Sequence, residues 1–179
     1  MGNGAAMRAS PLGAYFADDL DAVAAEAARS AEPTHAHPDG AAGAVAVAIA
    51  TALAWRGTQG EPLQGHDLVS EVARRTPAGP TRTGLEAAAA LPFTTTPETA
   101  GDRLGCGRFA LSSDTVPLAV WIAARHLDSY EEAVWTAAAP YGDRDTVCAM
   151  VGGIVVMAAG EGAIPVAWKA VVEPLPRDV

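Results

Sequence analysis

Alanine dominates this chain, and its abundance limits the folds that the chain can adopt. It supplies 41 of the 179 residues, whereas Phe and Tyr supply three each. Alanine has the highest intrinsic helix propensity, while strands favour β-branched and aromatic side chains. No stretch alternates apolar and polar residues as a half-buried strand does. We therefore predict an all-α fold in which the helices pack closely.

The length and composition predict one domain, spanning residues 1–179. Domains usually contain about 100–200 residues, and a chain of this size buries about 70% of its unfolded surface. Half of the residues are hydrophobic, which is too high a fraction for a disordered chain. A substantial core is therefore expected.

Helix-starting signals and apolar stretches divide the chain into roughly seven or eight helices. Ser10-Pro11 is a typical start, and we expect the first helix to run to about Ser30. Residues 40–55 carry no charge and are apolar on all sides. A helix with that pattern belongs in the centre of the fold, surrounded by the others.

Two further helix starts are predicted from capping-box spacing, in which a hydroxyl residue precedes an acidic one by three positions. Thr83 with Glu86 and Ser129 with Glu132 have this spacing. Farther along, apolar residues recur at helical intervals after the turn at residues 143–146. They predict a buried stripe formed by Val147, Met150, Val151, Ile154, Val155 and Ala158.

Charge and cysteine content exclude several classes of protein. The net charge of −9 and the pI of about 4.7 disfavour nucleic-acid binding through a basic surface. Cys106 and Cys148 are far apart and form no CxxC motif, as expected of free thiols in a reducing compartment. The longest uncharged run, residues 40–55, is shorter than the ~20 residues that span a bilayer. We expect a cytoplasmic protein with no nucleic-acid or membrane partner.

The strongest candidate for chemistry is the segment Gly142-Asp143-Arg144-Asp145-Thr146. Two carboxylates and a hydroxyl at a turn are the oxygen ligands that Mg²⁺, Mn²⁺ and Ca²⁺ prefer. The alternative is that an aspartate caps the following helix and stabilises its positive end. The spacing alone leaves both interpretations open.

Three other segments could contact a ligand. Thr34-His35-Ala36-His37 could supply part of a zinc site, place His35 in a pocket or simply be a solvated loop. Gly2-Asn3-Gly4 is small enough for close backbone approach to a phosphate or sugar. Gly105-Cys106-Gly107 is either a ligand-facing loop or an ordinary turn.

Taken together, these segments resemble the ADP-ribosylglycohydrolase family, and they occur in the order typical of it. Each motif is weak alone, but the ordered combination is specific and covers nearly the whole chain. The segments that carry the resemblance are Gly2-Asn3-Gly4-Ala5-Ala6-Met7-Arg8, Thr34-His35-Ala36-His37-Pro38, Asp114-Thr115-Val116-Pro117 with Trp121, and Gly142-Asp143-Arg144-Asp145-Thr146 with its continuation to Gly153.

The resemblance implies an orthogonal helix bundle with a binuclear Mg²⁺ or Mn²⁺ centre that removes ADP-ribose from modified side chains or cleaves related ADP-ribosyl compounds. It implies that ADP-ribose or an ADP-ribosylated protein is the partner. It assigns no catalytic residue within this chain. The implied metal ligands are Asp143, Asp145 and Thr146, and the implied substrate-binding residues are Gly2, Asn3, Gly4, His35, Gly105, Gly107 and Gly142.

The chain also departs from the family pattern. The other metal ligands of the family lie in an early Gly-Asp motif and a Thr-Asp-Asp-Thr-like motif, and its acidic catalytic residue belongs to the same N-terminal half. Neither motif occurs in this sequence. We therefore expect the C-terminal portion of a hydrolase, completed by further sequence or by a separate chain, with part of its apolar surface exposed when alone. The alternatives are a non-catalytic relative that binds ADP-ribose or a partner, and an unrelated zinc enzyme using His35 and His37.

Overall fold

The computed structural model describes residues 1–61 and 63–173, and within them all regular elements are helical. The all-α prediction is confirmed, although ten α-helices replace the seven or eight expected. Residues 62 and 174–179 of the predicted 1–179 domain lie outside the described residues. The helices are α1 (Ser10–Tyr15), α2 (Leu20–Ala31), α3 (Pro38–Thr58), α4 (Gly65–Arg75), α5 (Pro80–Ala90), α6 (Pro97–Leu104), α7 (Val116–Arg125), α8 (Tyr130–Ala138), α9 (Arg144–Ala159) and α10 (Val166–Lys169).

Helix α3 forms the centre of the fold, as its all-round apolar pattern predicted. Every residue from Ala42 to Ala54 is buried, and α1, α2, α4 and α9 pack around this helix. Its packing is close because the partners have small side chains. A Cβ on Gly13 of α1 would overlap the carbonyl oxygen of Ala48, so the two helices meet backbone to backbone.

The length of α3 also matches that of a membrane-spanning segment. Within the described residues, one helix, α3, is long and apolar enough to cross a bilayer. However, 78% of the 18-residue stretch that meets this criterion is buried inside the structure. The core helices of soluble proteins have the same length and composition.

Helix α9 lies against α3, α7 and α8, and its buried side is the stripe predicted from the sequence. Val147, Met150, Val151, Ile154 and Val155 are buried, whereas Ala158 is only partly buried. Its two central glycines make room for neighbours. A Cβ on Gly153 would overlap the hydroxyl of Ser10 in α1.

The predicted helix from residue 10 to about 30 is wrong, because it is divided into α1 and α2. Asp19 causes the division by capping α2. Its carboxylate accepts hydrogen bonds from the backbone N–H groups of Asp21 and Ala22, each at 3.0 Å. This local cap satisfies two N–H groups that a continuous helix would have bonded internally.

The predicted capping boxes also fail. Helix α5 begins at Pro80 rather than at Thr83, and its N-terminus is capped from another helix, since Asp39 Oδ1 accepts a hydrogen bond from Thr81 N at 2.9 Å. Helix α8 begins where predicted, but the side chain of Ser129 makes no capping hydrogen bond.

The first residues of the chain pair with the loop before α7. Gly2 and Leu111 form an isolated β-bridge, Asn3 N donates to the carbonyl of Ala110 at 3.0 Å, and Ser112 N donates to the carbonyl of Met1 at 2.9 Å. This pairing fixes the position of residues 2–4 beside the start of α9.

Candidate metal and ligand site

Asp143 lies immediately before α9, and the loop containing Cys106 holds its backbone in place. Its N–H donates to the carbonyl of Cys106 at 2.9 Å, and its carbonyl accepts the N–H of Val147 at 3.0 Å. Asp143 therefore occupies the N-cap position, while Asp145 and Thr146 lie in the first turn of α9. A carboxylate here can stabilise the positive helix end or bind a cation, so both sequence interpretations fit the position.

The carboxylate of Asp143 is the meeting point of the candidate site. Partial burial raises its pKa, but hydrogen bonding by Asn3, Thr146 and Asp145 lowers it more, and the pKa lies below the ordinary value. Asp143 is therefore ionised at neutral pH. Asp145 is exposed, whereas Thr146 is buried. The carboxyl groups of Asp143 and Asp145 are close enough to interact, so one hard cation could be held by both.

The donor set suits a hard cation that keeps much of its water. Asp143, Asp145 and Thr146 offer two carboxylates and one hydroxyl, and Mg²⁺ is usually bound through one or two carboxylates with several waters retained. No cluster of three or more His, Cys, Asp or Glu residues suited to a metal occurs within residues 1–61 and 63–173. This finding gives no support to a zinc site formed by His35 and His37.

His35 lies against two glycines of the N-terminal segment. A Cβ on Gly2 would lie 3.3 Å from its Nε2, and one on Gly4 would lie 3.4 Å from its Cε1. Burial, followed by the charge of Arg8, holds the pKa of His35 below its usual value of 6.5. The imidazole is therefore neutral at physiological pH. Its Nδ1 lies 2.8 Å from the hydroxyl of Thr34. The structure thus brings together three of the residues predicted to bind substrate, whereas His37 caps α3 instead.

The loop at residues 105–107 approaches Asp143 from the other side. Gly107 has φ +88, and a Cβ there would overlap the Cβ of Asp143. A Cβ on Gly142 would overlap the carbonyl oxygen of Cys106. These glycines therefore permit close backbone contact beside the site, whatever their role toward a ligand. Gly105 lies against Asp114 rather than Asp143.

Asn3 connects the N-terminal loop to α9. Its Nδ2 donates to Asp143 Oδ2 at 2.8 Å and to Thr115 Oγ1 at 3.1 Å. Thr115 is a site residue that the sequence analysis did not assign, although it belongs to the Asp114-Thr115-Val116-Pro117 segment. Met7 is another, because its sulfur lies 3.8 Å from the hydroxyl of Thr146. The one sequence signal for these two residues is that each belongs to a segment that carries the family resemblance.

Two exposed aromatic side chains flank the site in sequence. Phe109 lies two residues after Gly107 and is 76% exposed, while Tyr141 directly precedes Gly142 and is 77% exposed. Shallow pockets of about 230 Å³ and 180 Å³ border them, and both pockets are lined by Cys106 and Arg108. Exposed rings beside pockets can stack on a planar ligand.

Comparison with known proteins gives one result for the whole chain. A family model described as ADP-ribosylglycohydrolase matches residues 1–179. A search of the curated proteins finds no match to this chain. The match covers all of the segments from which the site is built.

Proposed function

Because this chain belongs to the ADP-ribosylglycohydrolase family, we propose that it serves in the metal-dependent hydrolysis of the glycosidic bond between ADP-ribose and a modified side chain or a related ADP-ribosyl group. A hydrolase-like function follows from the family, which is generally metal-dependent. The observation that carries the finer proposal is the hydrogen bond between Asn3 and Asp143, which joins the N-terminal segment to the start of α9, where the three candidate oxygen ligands lie.

We propose that Asp143, Asp145 and Thr146 hold one side of a Mg²⁺ or Mn²⁺ centre. A bound ion of this kind orients hydroxyl groups and a water molecule and lowers the pKa of that water. Asn3 keeps the Asp143 carboxylate in one orientation. The carboxylates also favour the positive charge that develops on the ribose ring when a glycosidic bond breaks.

The substrate would lie across the surface formed by the glycine segments. We propose that Gly2, Asn3 and Gly4 line its phosphate and ribose part, with the neutral His35 imidazole beside them. Larger side chains at Gly2 and Gly4 would contact His35, which supports a need for small residues there.

The far end of the substrate would then meet a different loop. We propose that Gly105, Gly107 and Gly142 line this end, where Phe109 and Tyr141 offer exposed rings to the adenine base.

Catalysis would require residues beyond these 179. The family's remaining metal ligands and its acidic catalytic residue lie in motifs that this sequence does not contain. We propose that a segment bearing those motifs completes the site and covers the groove of about 370 Å³ between α1 and α9. That groove is mostly apolar and includes Met7, Ala149 and Met157. ADP-ribose binding without hydrolysis is the second candidate, and it is supported by the lack, within the described residues, of a group of three or more His, Cys, Asp or Glu residues that could hold a metal ion.

Calorimetric titration with Mg²⁺, Mn²⁺ and Zn²⁺ tests the metal proposal. We expect Mn²⁺ or Mg²⁺ binding that Asp145→Ala weakens by at least about tenfold, since even outer-shell changes cost a metal site 10–100-fold. Asp145 is exposed, so its removal should leave the fold intact. Asp18→Ala is the matched control, because it removes an exposed carboxylate far from α9 in sequence.

Three results would count against parts of this proposal. Tight Zn²⁺ binding with no response to Mg²⁺ or Mn²⁺ would contradict the metal assignment. Unchanged affinity in Asp145→Ala would return Asp145 to the role of a helix-end charge. The third result comes from mixing the chain with a segment that carries the Gly-Asp and Thr-Asp-Asp-Thr motifs and measuring the release of ADP-ribose. A folded, metal-loaded mixture without activity would favour a protein that binds ADP-ribose without hydrolysing a bond.

A further inference from the structure

The hydroxyl of Thr115 is fully buried between the loop before α7 and the N-terminal segment. Thr115 has no exposed surface, and its Oγ1 donates to the carbonyl of Leu111 at 2.7 Å. A hydroxyl carries a single hydrogen, so this bond uses the only donor that Thr115 has. Toward Asn3, at 3.1 Å, its oxygen can therefore act only as an acceptor.

The other partner of Asn3 is also an acceptor. Asp143 Oδ2 is a carboxyl oxygen that accepts a hydrogen bond from Asn3 Nδ2 at 2.8 Å. An asparagine amide has one end with two hydrogens and one end with an oxygen. Only the nitrogen end can satisfy Thr115 and Asp143 together. The reversed amide would place its oxygen against two acceptors, and both hydrogen bonds would be lost.

We infer that Thr115 is a positioning residue, which fixes the amide orientation of Asn3 and, through it, the Asp143 carboxylate. The importance of this role for the metal rests on the function proposed above. Asn3 itself is 7% exposed, so no solvent competes strongly for its amide hydrogens. The chain of bonds runs from the carbonyl of Leu111 through Thr115 and Asn3 to Asp143.

The orientation also determines what Asn3 can offer to a substrate. Both of its amide hydrogens are committed, so the side chain has no donor left for a phosphate oxygen. Its Oδ1 accepts no hydrogen bond from the described residues. The side chain is thus limited to accepting from a hydroxyl or a water molecule, and any phosphate near residues 2–4 must find its donors elsewhere.

Hydrogen exchange of the Asn3 amide gives a direct test without metal. Asn3 is the only asparagine in the chain, and Gln59 and Gln64 supply the only other side-chain amides, so the NMR signals are readily assigned. We expect both Asn3 side-chain hydrogens to exchange more slowly than those of exposed Gln64. Thr115→Val should speed exchange of one of them, and Thr115→Ser should restore the slow rate. Two rapidly exchanging hydrogens in the wild-type chain would overturn the inference, even if Thr115→Val does not fold.

Metal affinity tests the transmission to Asp143. We expect Thr115→Val and Asn3→Ala each to weaken Mn²⁺ binding about tenfold, as outer-shell changes do, and Thr115→Ser to bind nearly as the wild type. The double variant Asn3→Ala with Thr115→Val should bind no more weakly than Asn3→Ala, because Thr115 acts through Asn3.

The outcomes separate the inference from the proposed function. If Thr115→Val lowers the unfolding temperature but leaves Mn²⁺ affinity unchanged, Thr115 is merely structural and the inference is wrong. Additive losses in the double variant would also overturn it. If the wild type binds no Mn²⁺ while Asn3 shows the expected exchange pattern, the metal proposal fails and the orienting role of Thr115 stands.

Discussion

Gly107→Ala should destabilise the protein by about 2–5 kcal/mol and displace Asp143. Gly107 has φ +88, a conformation that costs an alanine about 1–2 kcal/mol. The added Cβ would also overlap the Cβ of Asp143 and lie 3.2 Å from its backbone nitrogen. Overpacking of this kind costs about 1–3 kcal/mol, and the two contributions add to the range stated.

A second glycine in the chain isolates the backbone contribution. Gly160 has φ +80, and a Cβ there would meet nothing within 4 Å. Its ψ of 160 also places it in a backbone region that is essentially restricted to glycine, so Gly160→Ala should cost about 1–3 kcal/mol, the conformational contribution alone. The difference between the two variants then measures the clash with Asp143.

Urea denaturation of the wild type and both variants provides the free energies of unfolding. A common slope against urea would show that the variants change stability rather than the surface exposed on unfolding. Mn²⁺ titration of each folded variant adds the functional measurement, because only Gly107→Ala should weaken binding. Equal destabilisation by both substitutions would refute the contact between residue 107 and Asp143.

Two further predictions concern stability away from the site. Hydrogen bonds from Arg74 and, to a smaller extent, from Arg75 lower the pKa of Glu71 from 4.5 to about 2. The ionised Glu71 therefore stabilises the fold fully above pH 4.5, and this contribution is lost as the pH falls toward 2. Glu71→Gln should make the free energy of unfolding less dependent on pH in that range, as measured by denaturation at each pH. Fully buried Trp121 donates from Nε1 to the carbonyl of Leu91 at 2.9 Å, so Trp121→Phe should lower the free energy of unfolding by about 1–3 kcal/mol, and a change below 0.5 kcal/mol would contradict that bond's importance.

The sequence predicts the parts of the fold that depend on a single helix. The all-round apolar run in α3 and the stripe along α9 are properties of one segment, so periodicity alone locates both of them. The division at Asp19 depends on a choice between a local cap and a continued helix, and alanine on both sides favours the wrong answer. The cap that Asp39 provides for α5 joins two helices through residues that are 42 positions apart. No local pattern contains that information.

The same distinction applies to the candidate site. The structure places the motif segments at residues 2–4, 105–107 and 142–146 next to one another. Which atoms meet is a tertiary property. Thr115 looks like an ordinary residue at a helix start, and its contact with Asn3 joins positions 112 residues apart. Its buried hydroxyl meets Asn3 only because the N-terminal segment packs beside the start of α7.

The bond between Asn3 and Asp143 joins residues 140 positions apart, and this has a consequence for folding kinetics. Closing a loop of that length costs about 4 kcal/mol of chain entropy, while a hydrogen bond to a charged group returns only about 1.5–3 kcal/mol. The N-terminal segment should therefore attach after the bundle has formed, when its bridge to Leu111 can close at the same time. Substitutions at Asn3 would then accelerate unfolding and leave the folding rate nearly unchanged.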